Sequence, residues 1–146
     1  MAKWLTMFKK GEGHPARGGW AEPYGISVEE VEEGRVVLRF EASEKHHQPN
    51  GVVQGGVLTA IADAAMGMAA MTSQEVGWAN TTIELKINFI RPVISGEVRA
   101  EGRLISAGRT VLFTEATLFN QEGKTVAVAS SSVLAFALPE RAPAGG

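Results

Sequence analysis

The sequence predicts an α+β fold in which a curved antiparallel sheet wraps around one long central helix. Residues 53–72 are rich in Ala and Met and contain no proline, so we expect them to form a helix of about five turns. Apolar residues cover every face of this helix, and a helix of that kind must be enclosed by other structure. Strand-like runs flank it without another long helix, so a sheet curled around the helix is the economical arrangement.

The individual elements are predicted from period-two patterns and from the turn residues between them. We expect a short helix at 1–10, a linker at 11–19, the folded domain at 20–138 and a flexible Pro/Gly/Ala-rich tail at 139–146. Strands are predicted at 25–33, 35–41, 80–91, 96–105, 109–120 and 125–137, with a polar loop at 42–52. A chain of 146 residues suits a single domain of this kind.

The composition excludes several function classes. The net charge of −2 leaves no basic field to attract nucleic acid or an anionic membrane. The absence of cysteine excludes disulfides, thiolate metal sites and a cysteine nucleophile, and it is compatible with a reducing cytoplasm. The longest apolar region, 57–71, contains Asp63 and is shorter than the ~20 residues that span a membrane. We therefore expect a cytoplasmic protein with no nucleic-acid or membrane partner.

Asp63 is the one charged residue in the predicted helix. An ionised carboxylate buried without a partner is very costly, so Asp63 must be paired, hydrogen-bonded or exposed to a wet cavity. One interpretation is a structural aspartate that pairs with a lysine or arginine from a strand. The other is a catalytic carboxylate, and on this residue alone the two interpretations are balanced.

Gly55 and Gly56 lie where the polar loop becomes the helix. Backbone N–H groups at a helix start lack partners and carry partial positive charge, which favours a developing oxyanion; alternatively, the glycines only form a tight turn. Gly55 and Asp63 are eight residues apart in the sequence, which in a helix is about 12 Å, too far for one carbonyl group to contact both. If both act on one bond, a second chain must supply the carboxylate from an antiparallel helix. This spacing predicts a homodimer with shared sites.

Two stretches resemble a known family. The segment H-Q-P-N-G-V-V-Q-G-G-V-L-T-A-I-A-D, residues 47–63, resembles the acyl-CoA thioesterases of the hotdog superfamily, most closely the PaaI-like and 4-hydroxybenzoyl-CoA thioesterase branch. The segment T-T-I-E-L-K-I-N-F-I-R-P, residues 81–92, is similar to the strand that follows the helix in that family. The resemblance covers roughly residues 20–138. It implies a hotdog fold and hydrolysis of an acyl- or aryl-CoA thioester by a homodimer or homotetramer, with no metal and no cofactor beyond the CoA of the substrate.

The resemblance also implies roles for individual residues. Gly55 matches the glycine whose N–H polarises the thioester carbonyl, and Asp63 matches the nucleophile or general base. Gln48 matches an Asn or Gln that orients the water or the thioester. Thr82 falls near a Ser or Thr that orients the water in some members, and Thr81 is the alternative because the register is open by one residue.

Further residues are candidates for binding the substrate. Gln54 stands where many relatives have histidine, and glutamine can form hydrogen bonds there but cannot titrate near neutral pH. Gln54 and Gly56 at the helix start and Asn50 in the loop are predicted to contact substrate. Arg109 is the candidate partner for the CoA phosphates. The adjacent His46 and His47 are interpreted as loop residues, because no acidic cluster at ligand spacing accompanies them.

Two other functions remain possible on this fold. A hydratase or dehydratase of acyl thioesters needs a histidine near an acidic residue, and no histidine lies in or after the helix. A non-catalytic binding module has no need for a carboxylate inside an apolar helix. The sequence leaves open the acyl group, the choice between dimer and tetramer, and whether the carboxylate or water attacks the carbonyl.

Overall fold

The computed structural model describes residues 3–12, 19 and 21–140, and these residues adopt the predicted α+β architecture. Two helices and six strands are present in the described ranges: α1 (Trp4–Lys9), β1 (Ser27–Glu32), β2 (Arg35–Ala42), α2 (Gly55–Met71), β3 (Trp78–Phe89), β4 (Gly96–Ala107), β5 (Val111–Asn120) and β6 (Thr125–Ala137). Short 3-10 turns occur at Glu22–Tyr24 and Glu44–His46. None of the helices in these ranges is both long and apolar enough to cross a membrane.

The strands form one antiparallel sheet in the order β1-β2-β4-β5-β6-β3. The chain leaves β2 near one edge, passes through α2 and enters β3 at the opposite edge. The helix therefore crosses one face of the sheet, as predicted. β3 pairs with β6 on one side, and within the described residues its other side has no strand beside it.

The helix lies very close to β4 at Gly102. A Cβ atom at this buried position would come within 2.2 Å of the Ala65 carbonyl oxygen, so only glycine allows the contact. Small residues on the helix and a glycine on the strand bring the two backbones together. The core around this contact contains the fully buried side chains Phe40, Leu38, Ile61, Met66 and Leu118.

The expectation that the helix is enclosed on every side is only partly right. Among its half-buried residues, Ala60, Asp63, Ala64, Gly67 and Met71 recur every three or four positions and so share one face. The sheet covers the opposite face, where the residues are fully buried. One chain therefore leaves a partly open apolar stripe that contains Asp63.

The helix begins at Gly55 and ends at Met71, not at 53 and 72 as predicted. Val53 is held outside the helix because its N–H donates to the Val93 carbonyl at 2.8 Å. Gln54 has an extended backbone and is the N-cap residue. At the other end Thr72 is the C-cap residue.

The predicted strands are all present, but their ends are shifted. β3 begins two residues earlier and ends two residues earlier than the predicted 80–91, because its pairing with β6 runs from Trp78 to Phe89. β1 is shorter than 25–33, β4 continues beyond residue 105, and β5 starts at Val111 rather than 109. The loop 42–52 includes a 3-10 turn. Most of the predicted linker and tail lies outside the described residues, so those boundaries stay predictions.

Candidate active site

Asp63 is hydrogen-bonded to a hydroxyl group and not to a cation. The Thr82 Oγ1 donates to Asp63 Oδ1 at 2.6 Å. Strand alternation orients Thr82 towards the helix and leaves its neighbour Thr81 exposed, so Thr82 is the threonine that meets the carboxylate. Across the described part of the chain, no lysine, arginine or histidine forms an ion pair with Asp63. The interpretation of Asp63 as half of a structural ion pair is therefore wrong.

Asp63 and Thr82 open onto a cavity of about 320 Å³, which we call the Asp63 cavity. Its walls combine apolar side chains with a few polar groups and include Leu38, Gly67, Met68, Met71 and Asn80. The helix contributes residues from successive turns, and β3 contributes the polar residues. The carboxylate thus sits at the wall of a mainly apolar space.

The N–H of Gly55 is the free donor at the helix start. The Gln54 side chain accepts the Gly56 N–H, and the Gln54 carbonyl accepts the Val57 N–H at 2.9 Å. Within the described residues the Gly55 N–H has no acceptor. The N-cap role of Gln54 was not predicted, and it leaves Gly55, not Gly56, as the N–H that a carbonyl can reach.

Gly55 and Gln48 share a second cavity of about 280 Å³, which we call the Gly55 cavity. Phe89 and Arg91 also line it. A Cβ atom at Gly55 would lie 2.9 Å from the Phe89 ring, so this glycine lets the ring pack over the helix start. Phe89 was not predicted from the sequence, because its approach to Gly55 depends on the position of β3.

The predicted residues are thus divided between two cavities of one chain. Gly55 and Gln48 line one, and Asp63 and Thr82 line the other. About 12 Å of helix separates Gly55 from Asp63. The geometry does not bring the four candidate catalytic residues to one point within a single chain.

The loop that carries Gln48 is held by its own hydrogen bonds. The Gly51 N–H donates to the Gln48 carbonyl at 3.0 Å, and Gly51 has a positive φ of 81° that suits glycine. Asn50 is exposed at the tip of this turn and lines neither cavity. His47 Nε2 lies 2.6 Å from the Ile94 carbonyl, which ties the loop to the segment after β3.

His46 is a buried structural residue. Its Nδ1 accepts the Ser43 N–H at 3.1 Å, and its ring meets Phe40 edge-on at 4.6 Å between centroids. Burial, and next the charge of Lys45, lower the pKa of His46 below its usual 6.5. The His46 carbonyl accepts the Gln54 N–H at 2.9 Å, so this residue supports the helix start without lining either cavity. In the described ranges no cluster of His, Asp or Glu is arranged to hold a metal ion.

Arg109, the predicted partner for the CoA phosphates, and Arg91 lie near opposite ends of α2. Arg109 lines a separate cavity with Ser73 and Gln74, beyond the C-terminal end of α2. Arg91 lines the Gly55 cavity at the N-terminal end, where it donates to the Thr125 carbonyl at 2.7 Å. Arg109 is therefore not brought to the helix start.

Residues 50–127 match the family model of the thioesterase superfamily. The chain belongs to this superfamily. It is a thioester hydrolase, and the predicted resemblance to the hotdog thioesterases is confirmed.

Individual relatives agree with this family. A Saccharolobus solfataricus protein provisionally named an esterase is 33% identical over 107 residues, which cover 73% of this chain and 76% of the relative. The 1,4-dihydroxy-2-naphthoyl-CoA hydrolase of Listeria monocytogenes is 28% identical over 115 residues, which cover 79% of this chain and 94% of the relative. The E. coli PaaI protein from the phenylacetic acid degradation operon shares the fold, with a TM-score of 0.78 at 22% identity over 91% of this chain and 92% of that one.

Proposed function

We propose that this protein hydrolyses an acyl- or aryl-CoA thioester to the free acid and CoA. The single observation that carries this proposal is Asp63, a half-buried carboxylate that is held by a threonine hydroxyl at the wall of an apolar cavity. Membership in the thioesterase superfamily supports the reaction class. An aryl-CoA ester as the substrate is supported by the relative from Listeria, whose name describes the hydrolysis of such an ester.

The chemistry follows from the two groups at the reacting bond. The thioester carbonyl oxygen accepts the Gly55 N–H, and the helix start stabilises the negative charge that develops on this oxygen. Asp63 then attacks the carbonyl carbon and displaces the CoA thiolate, forming an anhydride that water cleaves. Alternatively, Asp63 takes a proton from a water molecule that attacks the same carbon. Thr82 holds one carboxylate oxygen and so directs the other towards the substrate, while Gln48 orients the thioester or the water.

We propose that the active site is shared between two chains. Gly55 and Asp63 of one chain lie too far apart to contact one carbonyl, and they line different cavities. β3 is a twelve-residue edge strand, and long edges of this kind are normally covered. Ile83, Phe89 and Ile90 on and after this strand are exposed apolar residues, and a second copy would bury them. Two antiparallel copies would bring the Gly55 cavity of each chain to the Asp63 cavity of the other.

The arrangement also defines how the substrate lies across the two cavities. The acyl group enters the apolar Asp63 cavity, and the CoA moiety leaves through the Gly55 cavity, where Arg91 can bind its phosphates. Arg109, the residue predicted from the sequence for this role, lies beyond the far end of the helix. We therefore propose Arg91 in its place.

Two wider properties belong to the same proposal. We propose that dimers pair into tetramers through the outer face of the sheet, which is supported by the exposed apolar side chains Val111, Phe113, Val128, Leu134 and Phe136. We also propose a cytoplasmic location, which the cysteine-free composition supports. No metal and no cofactor other than the CoA of the substrate takes part in the proposed reaction.

The decisive experiment measures release of free CoA thiol from a panel of acyl- and aryl-CoA esters. Asp63→Asn should lose at least about a thousandfold in kcat, because asparagine keeps the Thr82 hydrogen bond but can neither attack nor accept the proton. Glu122→Gln, which neutralises an exposed carboxylate in the turn between β5 and β6, is the control and should keep wild-type turnover. Turnover by Asp63→Asn at the wild-type rate would rule out the mechanism. Hydration of an enoyl-CoA, or tight binding without thiol release, would support the hydratase or the binding module instead.

A further inference from the structure

Asn80 lies in the same cavity as the catalytic carboxylate, on the same strand face as Thr82. The two residues are two positions apart on β3, so their side chains point to one side and stand about 7 Å apart along the strand. On the helix, Gly67 follows Asp63 by one turn, about 6 Å away. Asn80 and Gly67 therefore mark a part of the cavity that lies roughly one aromatic ring away from the carboxylate.

The orientation of the Asn80 amide is fixed by its neighbours. Its Nδ2 donates to the Gly67 carbonyl at 3.1 Å and to Gln74 Oε1 at 3.0 Å. A backbone carbonyl can only accept, so the nitrogen of the amide and not its oxygen must face Gly67 O. Both amide hydrogens are used, one with the helix and one with Gln74 in the loop that follows it. The Oδ1 atom points elsewhere.

The Oδ1 of Asn80 is an acceptor without a donor. No hydrogen bond reaches it from any described residue. In the described ranges, His46 Nε2 is the one fully buried side-chain polar atom that lacks a hydrogen-bond partner. The unpartnered Oδ1 of Asn80 is therefore not fully buried. A Cβ atom placed on Gly67 would lie 3.6 Å from Oδ1, so the missing side chain leaves the approach to this oxygen open.

A purely structural role accounts for only half of this side chain. Tying the strand to the helix uses Nδ2 alone and leaves Oδ1 unexplained. The other walls of this part of the cavity are apolar and include Leu38, Met68 and Met71. An acyl group that fills the cavity displaces water from Oδ1, and the lost hydrogen bond is costly unless the acyl group brings a donor.

We propose that Asn80 is a specificity-determining residue, whose Oδ1 accepts a hydrogen bond from a hydroxyl or amino group of the acyl moiety. This inference rests on the proposed CoA thioesterase function and deepens it. The substrate class that it names is an aryl thioester with a hydrogen-bond donor at the ring edge remote from the thioester carbonyl. Asp63 and Thr82 act at the thioester end of the acyl group, and Asn80 binds its opposite end.

The test compares benzoyl-CoA esters that carry either a hydroxyl or a methyl group at ring position 3 or 4. The two substituents are similar in size, so they differ mainly in the ability to donate. Wild-type enzyme should favour the better hydroxyl ester over its methyl counterpart by about tenfold or more in kcat/KM, measured by thiol release. Asn80→Leu keeps the shape of the side chain but removes the acceptor, and it should abolish or reverse the preference.

Gly67→Ala provides a second variant that keeps Asn80 and both of its hydrogen bonds. The added methyl group meets nothing closer than 3.6 Å, so the fold should tolerate it, but it covers Oδ1. It should reduce kcat/KM for the hydroxyl ester by a larger factor than kcat/KM for the methyl ester, and so lower the preference for the hydroxyl ester. Met71→Leu, which reshapes the same wall without altering a polar atom, should affect the two esters alike and so keep the wild-type ratio.

The outcomes separate this inference from the proposed function. Equal kcat/KM values for the hydroxyl and methyl esters in wild-type enzyme, or a ratio that Asn80→Leu and Gly67→Ala leave unchanged, would overturn the role of Asn80 while the thioesterase function stands. Absence of thiol release from every CoA ester in the panel would overturn both.

Discussion

Single atoms at the helix start decide which groups can take part in the chemistry. Gln54 supplies a side-chain oxygen to the Gly56 N–H and a carbonyl to the Val57 N–H, so the Gly55 N–H is the donor that remains. On the carboxylate side, the Thr82 hydroxyl takes one oxygen of Asp63 and leaves the other for the substrate. In the proposed mechanism both arrangements orient a reacting group before the substrate arrives, which reduces the reorganisation needed in the transition state.

The position of Arg91 leads to a prediction about phosphate recognition. Arg91→Ala should raise KM for a CoA ester about tenfold, and it should leave KM unchanged for the N-acetylcysteamine ester of the same acid, which lacks the phosphates. Arg109→Ala is the matched control, because Arg109 is also an exposed arginine but lies at the other end of α2. Steady-state kinetics on the two esters provide the measurement. A rise in KM for the CoA ester in Arg109→Ala, with Arg91→Ala unaffected, would return the role to Arg109.

At the scale of elements, the position of α2 depends on its contact with β4. The helix crosses the sheet between β2 and β3, and the closest approach is between Gly102 and the backbone at Ala65. The Asp63 cavity lies on another side of the helix, where Asp63 and Gly67 face Thr82 and Asn80 of β3. The hydrogen bonds from Asn80 and Thr82 then fix β3 against the open side of the helix.

The two glycines at this helix lead to opposite stability predictions. Gly102→Ala should lower the free energy of unfolding by about 1–3 kcal/mol, because its Cβ would overlap the rigid backbone of Ala65. Gly67→Ala should be neutral or stabilising by up to about 1 kcal/mol, since alanine favours the helix and nothing crowds it. Thermal or urea unfolding of the two variants checks both signs. An unchanged midpoint in Gly102→Ala would show that the helix is not held against β4 as described.

For the molecule as a whole, one chain carries the two halves of the proposed site in separate cavities, and neither half is complete alone. The partly open stripe of the helix, the edge of β3, which has no described strand beside it, and the separation of the two cavities all support the proposed second copy. A symmetric pair provides two equivalent sites, each with Gly55 from one chain and Asp63 from the other. The activity should therefore belong to the assembly and not to the isolated chain.

Mixing two inactive variants tests this shared site. Gly55→Pro removes the N–H donor and suits the helix start, where Gln54 already has the extended backbone that precedes proline. Gly55→Pro and Asp63→Asn should each be inactive alone, and after denaturation and refolding together they should recover about one quarter of wild-type activity, since half of the random pairs carry one intact site of two. Gly55→Ala, which crowds Phe89 in the same way but keeps the N–H, is the control and should retain most of its activity. No recovery in the mixture of two folded variants would mean that each site is built from one chain.

The sequence by itself determined the central helix and the sheet that packs on it, and it predicts that Gly55 and Asp63 act on the same bond. These features depend on local pattern and spacing: the composition of residues 53–72, the alternation of the strands and the fixed rise of a helix. The prediction of a second chain also follows from the eight-residue interval, provided that both residues act on one bond. The choice of Thr82 over Thr81 was left open, because neighbouring residues on a strand differ only in the face that they present.

Only the tertiary structure decided the remaining details of the site. It placed Phe89 over Gly55, brought Arg91 rather than Arg109 to the helix start, and tied the Asn80 amide nitrogen to Gly67. Each of these depends on how β3 lies against α2, and β3 occupies the edge of the sheet farthest from β2 in the strand order. The position of β3 against α2 is fixed by the packing and hydrogen bonding of the whole fold and cannot be read from the local sequence. Asp63 was therefore evident from the sequence as an unusual charge, but its threonine partner, its apolar cavity and the lack of an ion pair with any described lysine or arginine were fixed by the fold.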